Sequence, residues 1–402
     1  MQYTKKILVL ACAAAFCGTA AAQGSVEVFG VIDLGILSES NLANPSLGFL
    51  PNQSDKGHVL EMKDGGLGQS YWGIKGNEDL GGGLKATFAL QGNFQGTTGV
   101  SGGPNSAGTT SMFNQLANVG FAGNFGSVEF GRVVSPIYWA FASTDVRAGA
   151  YFGSSLTGLV ALNSATGNFT GGNSNAVVGT IYNDNAVVYN SPEVNGFKGA
   201  LEVTFGGVAG DTSASRQEAA TLMYHNENWK FDALIYNGND DGIKYSTNPN
   251  GTNTNRLVQA GGMYMNGPYS VSAGFFKGTN PANTGAGQNP ASLGGAATSG
   301  DLNMVNFGLG YKVSTQLNLT SGYYRLNDEA NSGNHATMYV LGADYFLSKS
   351  TRLYAEAANV KNVGSNMNMA PVYGTPVTAG SLNAAAAGST STAFMVGVRH
   401  NF

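Results

Sequence analysis

Charge is scarce in this chain, so where it falls is the first chemical signal. Asp, Glu, Lys and Arg make up 11% of 402 residues, against roughly 25% in soluble domains. Lys75, Lys85 and Arg132 stand in alternating stretches, and Tyr71 shares the strand face of Lys75. Asp145, Arg147, Tyr182 and Asp184 fall within a long stretch that has no period. Any one of these reads equally well as a solvated charge or rim residue. Grouped near one narrowing, fixed charges act on ions through their field, and that is the chemistry this set can perform. Bond-making chemistry has less support, because it needs a nucleophile beside a base. The four histidines, His58, His225, His335 and His400, stand in neither nucleophile-elbow nor metal-ligand spacing. Asp240-Asp241 reads as a solvated acid pair ahead of a Ca2+ site. Neither an enzyme nor a metal or cofactor site is expected.

The element that must position the second group is the run 134–184 itself. A structureless loop of that length is uncommon in a compact domain unless it is functional. Its flanks read as strands: Ser127–Gly131 alternates, and Ala186–Tyr189 is β-branched and aromatic. The run carries Tyr138, Trp139, Phe141, Tyr151, Phe152 and Phe169, too many aromatics for a solvated linker. The reading is a loop folded into the lumen of a β-barrel, narrowing it. Tyr138, Trp139 and Phe141 are expected to anchor the loop to the wall rather than line a sugar path.

The first residues carry an address. Lys5-Lys6, an apolar run from Ile7 to Phe16 and Ala20-Ala21-Ala22 before Gln23 form a secretory signal over residues 1–22. Its apolar run is about half the ~20 residues of a membrane span. Cleavage would remove Cys12 and Cys17, leaving no thiol in the mature chain, residues 23–402. It would also remove Lys5 and Lys6, leaving 18 basic against 24 acidic residues, so the net charge moves from −4 to −6. An acidic chain without a basic stripe is not expected to bind nucleic acid. Glycine, 59 of 402 residues, is about twice its usual share. Export, little charge and no later long apolar run point to a wall that is apolar only at every second residue. That is how a transmembrane β-barrel reads. A secreted solenoid would show a fixed repeat, and none is found.

The chain order supports a barrel. Val26, Val28, Ile32 and Leu34 share one face, opposite Glu27 and Asp33. The stretch 41–68 is polar and loop-like. A hairpin follows, its second arm carrying Leu84, Ala86, Phe88, Leu90 and Phe94 opposite Lys85, Thr87, Gln91 and Asn93. Short turns then alternate with long loops, the rhythm of outer-membrane barrels. Seven turns plus closure of the termini predict sixteen antiparallel strands, although the count also admits fourteen or eighteen. Phe394, Val396, Val398 and Phe402 share the last face. Ending flush on a strand lets the last strand pair with the first and remove an edge that lipid would not tolerate.

Several stretches, weak singly, are specific in their order and spacing. They are Val28–Asp33, Trp72–Leu84, Val119-Gly120-Phe121, Phe130-Gly131-Arg132, Val188–Pro192 and the terminal Val396–Phe402. Over the whole mature chain they resemble the general-diffusion porins of Gram-negative bacteria, of the neisserial and burkholderial type. The resemblance implies a homotrimeric, sixteen-stranded outer-membrane channel, constricted by its third long loop, for passive diffusion of ions and small hydrophilic solutes. It implies outer-membrane lipid and lipopolysaccharide as surroundings, and a terminal Phe402 strand read by the barrel-assembly machinery. Two departures stand out. Tyr71 occupies a position where such porins usually have Arg, and Tyr182 is the nearest match to a second usual Arg. Arg132 survives, but alternation gives it the face of Val128 and Phe130, so it reaches the lumen only if the strand bends. The basic clamp that favours anions is therefore expected to be depleted. Two alternatives stand beside the general channel: one preferring sugars or aromatic acids, and a non-conducting barrel adhesin acting through its loops.

Overall fold

The computed structural model describes residues 24–43, 56–102, 111–159, 181–207, 209–214, 216–239, 255–279, 301–329, 331–364, 367, 369–373 and 388–402. The expected leader lies outside them. The wall starts with β1 (Ser25–Ala43), β2 (Lys56–Asp64), β3 (Ser70–Gly81) and β4 (Leu84–Phe94). It continues through β5 (Leu116–Gly123), β6 (Gly126–Val134), β7 (Tyr182–Asn190), β8 (Phe197–Thr204) and β9 (Gln217–His225). Next come β10 (Trp229–Gly238), β11 (Asn255–Asn266), β12 (Tyr269–Thr279) and β13 (Asp301–Lys312). The last are β14 (Leu317–Asp328), β15 (His335–Phe346), β16 (Thr351–Val363) and β17 (Thr390–Asn401).

Seventeen segments build sixteen staves, because two share one position. β3 pairs with the first part of β1, from Ser25↔Asn77 to Val31↔Tyr71. β2 pairs with the second part on the same edge, from Leu34↔Asp64 to Ala43↔Lys56. The other edge of β1 takes β17, from Val31↔Asn401 to Glu39↔Ala393, and the antiparallel barrel closes there. Phe402 completes the seam: its N–H and C=O exchange 3.0 Å hydrogen bonds with Gly30.

The stretch 41–68, expected to be loop, contains β2. Its signal is hidden because the inward side chains are Glu61 and Lys63, while only Leu60 and Met62, 71% and 60% exposed, mark the outer face. A polar lumen dilutes the apolar alternation by which a strand is read.

Between β2 and β3 the chain leaves the sheet, and Asp33 of β1 holds it. Its carboxylate accepts from the backbone N–H groups of Gly66, Leu67 and Gly68, and from the hydroxyl of Tyr354 at 2.8 Å. Arg399 adds an ion pair at 3.2 Å. The detour is thus a small backbone nest around one buried anion.

The long insert also departs from expectation, since it contains a helix, α1 (Pro136–Ser143). Pro136 begins it, where its missing N–H costs nothing. Eight residues, nearly all apolar, leave no polar stripe from which a helical period could be read.

Candidate functional site

Hydrogen bonds from the insert end on inward-facing side chains of many staves. Ser135 Oγ donates to Glu202 of β8 at 2.7 Å. Thr144 bonds Asp232 of β10, and Ser272 of β12 meets the N–H of Val146 at 3.3 Å. Phe141 packs edge-on to Phe276 at 6.2 Å. On the far side, the N–H of Phe152 reaches Gly66 O at 2.8 Å and the N–H of Gly153 reaches Pro371 O at 2.8 Å.

Asp145 and Arg147 fasten the middle of this path. The Asp145 carboxylate accepts from Tyr324 Oη at 3.0 and 3.1 Å and from the N–H of Ser155 at 2.7 Å. Arg147 donates to Glu356 Oε2 at 2.6 Å, Thr320 Oγ1 at 2.7 Å, Phe152 O at 2.7 Å and Gly153 O at 3.0 Å. The Arg147 and Glu356 side chains are 2% and 0% exposed. Burial is the strongest single influence and opposes the charge on Arg147, but Glu356, Tyr324 and Asp145 together outweigh it and raise the pKa above its ordinary value.

Arg132 turns inward by a bulge. Gly131 has φ +122° and Asn185 φ +53°, and the register between β6 and β7 shifts between Gly131 and Val133. Two residues of β7 there oppose one of β6, which re-aims a side chain. Arg132 then pairs with Asp184 at 2.5 Å, donates to Asn114 O at 2.9 Å and lies 5.8 Å above the Tyr182 ring. Asp184 and Tyr182 therefore belong to β7 on the wall, whereas the sequence put them in the insert. The bulge breaks the alternation that would have shown this strand starting at Tyr182.

The remaining expected residues are dispersed. Lys75 sits 3.4 Å from Glu27 and 5.1 Å over the Phe29 ring, and Tyr71 meets the same ring edge-on at 6.2 Å. Lys85 stands on the inner face across from Asp79, one residue into β4 from the short turn, with no ion pair within 4 Å among the described residues. Of the three aromatics expected as anchors, Phe141 is buried, but Trp139 is 56% exposed, with its neighbour Tyr138 edge-on to it at 5.1 Å. One turn of helix cannot aim adjacent residues at the same wall.

Sequence reasoning missed Glu356, Tyr324, Tyr354 and Arg399. Arg399 was within reach, since alternation against Val396 and Val398 points it inward. Inside the wall, Arg352 pairs with Asp344 at 3.4 Å. Lys230 and Lys312, inward at the short-turn ends of β10 and β13, make no ion pair among the described residues.

A barrel of sixteen staves with short turns at one end and a lumen lined by paired charges invites comparison with known channels. Residues 9–365 match the model of a family described as Gram-negative porin. The chain belongs to that family. It is 28% identical to an outer membrane porin protein of Bordetella pertussis, over 77% of this chain and 69% of the relative. It is 26% identical to outer membrane porin protein 32 of Delftia acidovorans, over 99% of this chain and 100% of the relative. A solved anion-selective porin from Comamonas acidovorans superposes with TM-score 0.70 at 21% identity, covering 94% of this chain and 100% of that one. A trimer form of the outer membrane protein OmpT of Vibrio cholerae reaches TM-score 0.56 at 15% identity, over 94% and 99%. The porin is thus an outer-membrane protein of the Gram-negative envelope and a passive diffusion channel. In barrels of this kind the long connections lie at the outer end and the short turns at the periplasmic end.

Proposed function

We propose that the porin is a homotrimeric general-diffusion channel whose insert, 134–184, forms the constriction, and whose ion preference is weak and arises at the periplasmic mouth. The observation that supports this is the pairing of inward charge. Beside the insert, Arg132 faces Asp184, Arg147 faces Glu356 and Arg399 faces Asp33, all within 4 Å. A paired cation presents an ion with a dipole rather than a net field. Toward the short turns Lys85, across from Asp79, and Lys230 and Lys312 make no ion pair among the described residues and are the inward cations that act on a passing ion, while Lys198 there has Glu129 near it. The Comamonas protein is described as anion-selective; here a milder preference of the same sign is expected. Phe402, whose backbone closes the seam, is proposed as the signal for the barrel-assembly machinery. Family and fold are those of non-enzymatic channels.

The test is the reversal potential across a planar bilayer under a salt gradient. Wild type should conduct with a small anion preference. Replacing Lys85, Lys230 and Lys312 together by Gln should abolish it, while Lys75→Ala should shift it less, because Glu27 stays exposed with water around it. Arg132→Ala, which strands Asp184, should tip the pore toward cations. An unchanged potential in the triple variant would sink the mouth assignment, and absence of stepwise current would restore the adhesin reading.

One observation favours the substrate-preferring alternative. Trp139 is exposed on α1 beside the Tyr138 ring, and Tyr71 stands where porins of this type usually carry Arg. A saturable block of current by an aromatic acid or a sugar, lost in Trp139→Ala, would establish it.

A further inference from the structure

On the outer face, away from the pore, register stacks three rows across β13–β17. The row nearest the long loops holds Arg325, Thr337 and Lys361, directly paired across β14, β15 and β16. The next holds Phe307, Tyr323, Tyr339 and Asn359. The third holds Leu309, Ser321, Leu341, Ala357 and Phe394. Ser321 and Ala357 are small between large neighbours, and the wall there has a groove of about 650 Å3, nearly all apolar. The descending order is therefore cation, aromatic ring, then aliphatic groove, with rows ~7 Å apart from two residues of strand rise.

The top row is preset. Arg325 donates through Nε to Asn327 at 2.9 Å and through Nη1 to Thr337 at 3.1 Å. Asn327 donates to Asn303 at 3.0 Å, and Asn303 to Glu329 at 3.1 Å. Glu329 neutralises Lys277, at 2.8 Å, but no acid lies within ion-pair distance of Arg325 or Lys361 among the described residues. Two strand spacings, ~10 Å, separate these two cations.

We propose that this face holds one phosphorylated, multi-acyl lipid of the outer leaflet, with phosphate on Arg325 and Lys361 and an acyl chain in the groove. Two uncompensated cations on an acidic chain call for an anion. The apolar groove directly below calls for the same molecule to carry a hydrocarbon tail. A layered change from charge to hydrocarbon over one or two rows matches the ~5–10 Å depth of a membrane interface, which a protein partner would not require. The proposal rests on the outer-membrane placement above and names the lipid and its seat.

The test uses the full purified protein in detergent, with lipid retention read by native mass spectrometry. The probes are bis-phosphorylated lipid A, its dephosphorylated form and phosphatidylethanolamine. Wild type should retain the phosphorylated probe in preference to the other two. The double variant Arg325→Gln/Lys361→Gln should lose about 30-fold, the worth of two cations beside an anionic surface. Ala357→Phe, which fills the groove, should lower retention while bilayer conductance stays at the wild-type value in both variants. Arg256→Gln, an exposed cation at the same end but outside the row, should change nothing. Equal retention by wild type and the double variant would overturn the site, as would an equal loss in Arg256→Gln. Trimers that fall apart in Ala357→Phe with lipid retention unchanged would place this face between copies and overturn it too. A protein that does not conduct would fail the channel reading instead, so the two failures are distinguishable.

Discussion

Replacing Arg147 by Ala should free the insert from the wall. The side chain makes four hydrogen bonds, one of them to a carboxylate with 0% side-chain exposure. Removing one partner of a buried pair costs about 3–5 kcal/mol, because the other charge is left without compensation. Even ~3 kcal/mol shifts the balance between docked and undocked insert by about 100-fold. In single-channel recordings this should appear as a second, higher conductance level and as flicker absent from the wild type. Chymotrypsin should cut at Tyr138 to Tyr151 where the wild type resists. The double variant Arg147→Met/Glu356→Leu should recover most of the wild-type behaviour, since a packed apolar pair replaces a buried ion pair at little cost. Gly342→Ala provides a second approach without touching either charge: a Cβ there would collide with Arg147 Nη1 and come within 2.6 Å of Glu356 Oε2. Wild-type current, noise and protease resistance in Arg147→Ala would refute the clamp. A double variant as damaged as the single one would show that the bonds to Phe152 O and Gly153 O, not the charge pair, do the holding.

Two further outcomes follow from other clusters. Asp33→Ala should lower the stability of the folded barrel by about 3–5 kcal/mol, because Arg399 and three backbone N–H groups lose a buried acceptor; Asp33→Asn should lose less, and a urea midpoint equal to wild type in the alanine variant would contradict the nest. At the outer rim, hydrogen bonds from Lys277 and Asn303 hold the Glu329 carboxyl below its ordinary value of 4.5. Its contribution to local order is therefore complete above pH 4.5 and lost only as pH falls through the lower folded value. A carboxyl NMR titration should give a midpoint below 4.5 that moves up in Lys277→Gln, and a wild-type midpoint at or above 4.5 would be inconsistent with this network.

What was legible in the sequence is what repeats. Outward rows such as Leu84, Ala86, Phe88 and Leu90 mark a stave because lipid demands an apolar side chain at every second place. The inner face has no such demand, so β2 was invisible beside Glu61 and Lys63. Bulges erase even the outer signal: at Gly131 and Asn185 the count of residues differs between neighbouring strands, and Arg132, Tyr182 and Asp184 shift face together. Partners across the lumen were the least legible. Arg147 and Glu356 are 209 residues apart, and no spacing rule links an insert to a stave so far along the chain. Asp145, Arg147 and Asp184 could be identified as candidates by type; only the fold says which acid answers which base.

The pairing itself has a physical cause that yields the last prediction. Where the insert crosses the lumen it excludes water, and a charge kept from water costs several kcal/mol unless an opposite charge meets it. Narrowing the pore with protein therefore sets Glu356 against Arg147 and Asp184 against Arg132, and weakens the field these four charges present there. Toward the short turns Lys85 stays exposed, Lys230 and Lys312 line a pocket of about 230 Å3 beside Val146 and Ala148 of the insert, and a cation without an ion pair is tolerable where water reaches it. The charge an ion can sense thus lies toward the short turns, where salt screens it. The screening length is ~3 Å at ~1 M salt and ~30 Å at ~0.01 M. Anion preference should accordingly be near zero in concentrated salt and grow as salt is diluted, with the growth absent when Lys85, Lys230 and Lys312 are replaced by Gln. A preference independent of salt would mean that ions are discriminated in the desolvated narrowing, and the paired charges there would then have to be unequal in their effect on the pore.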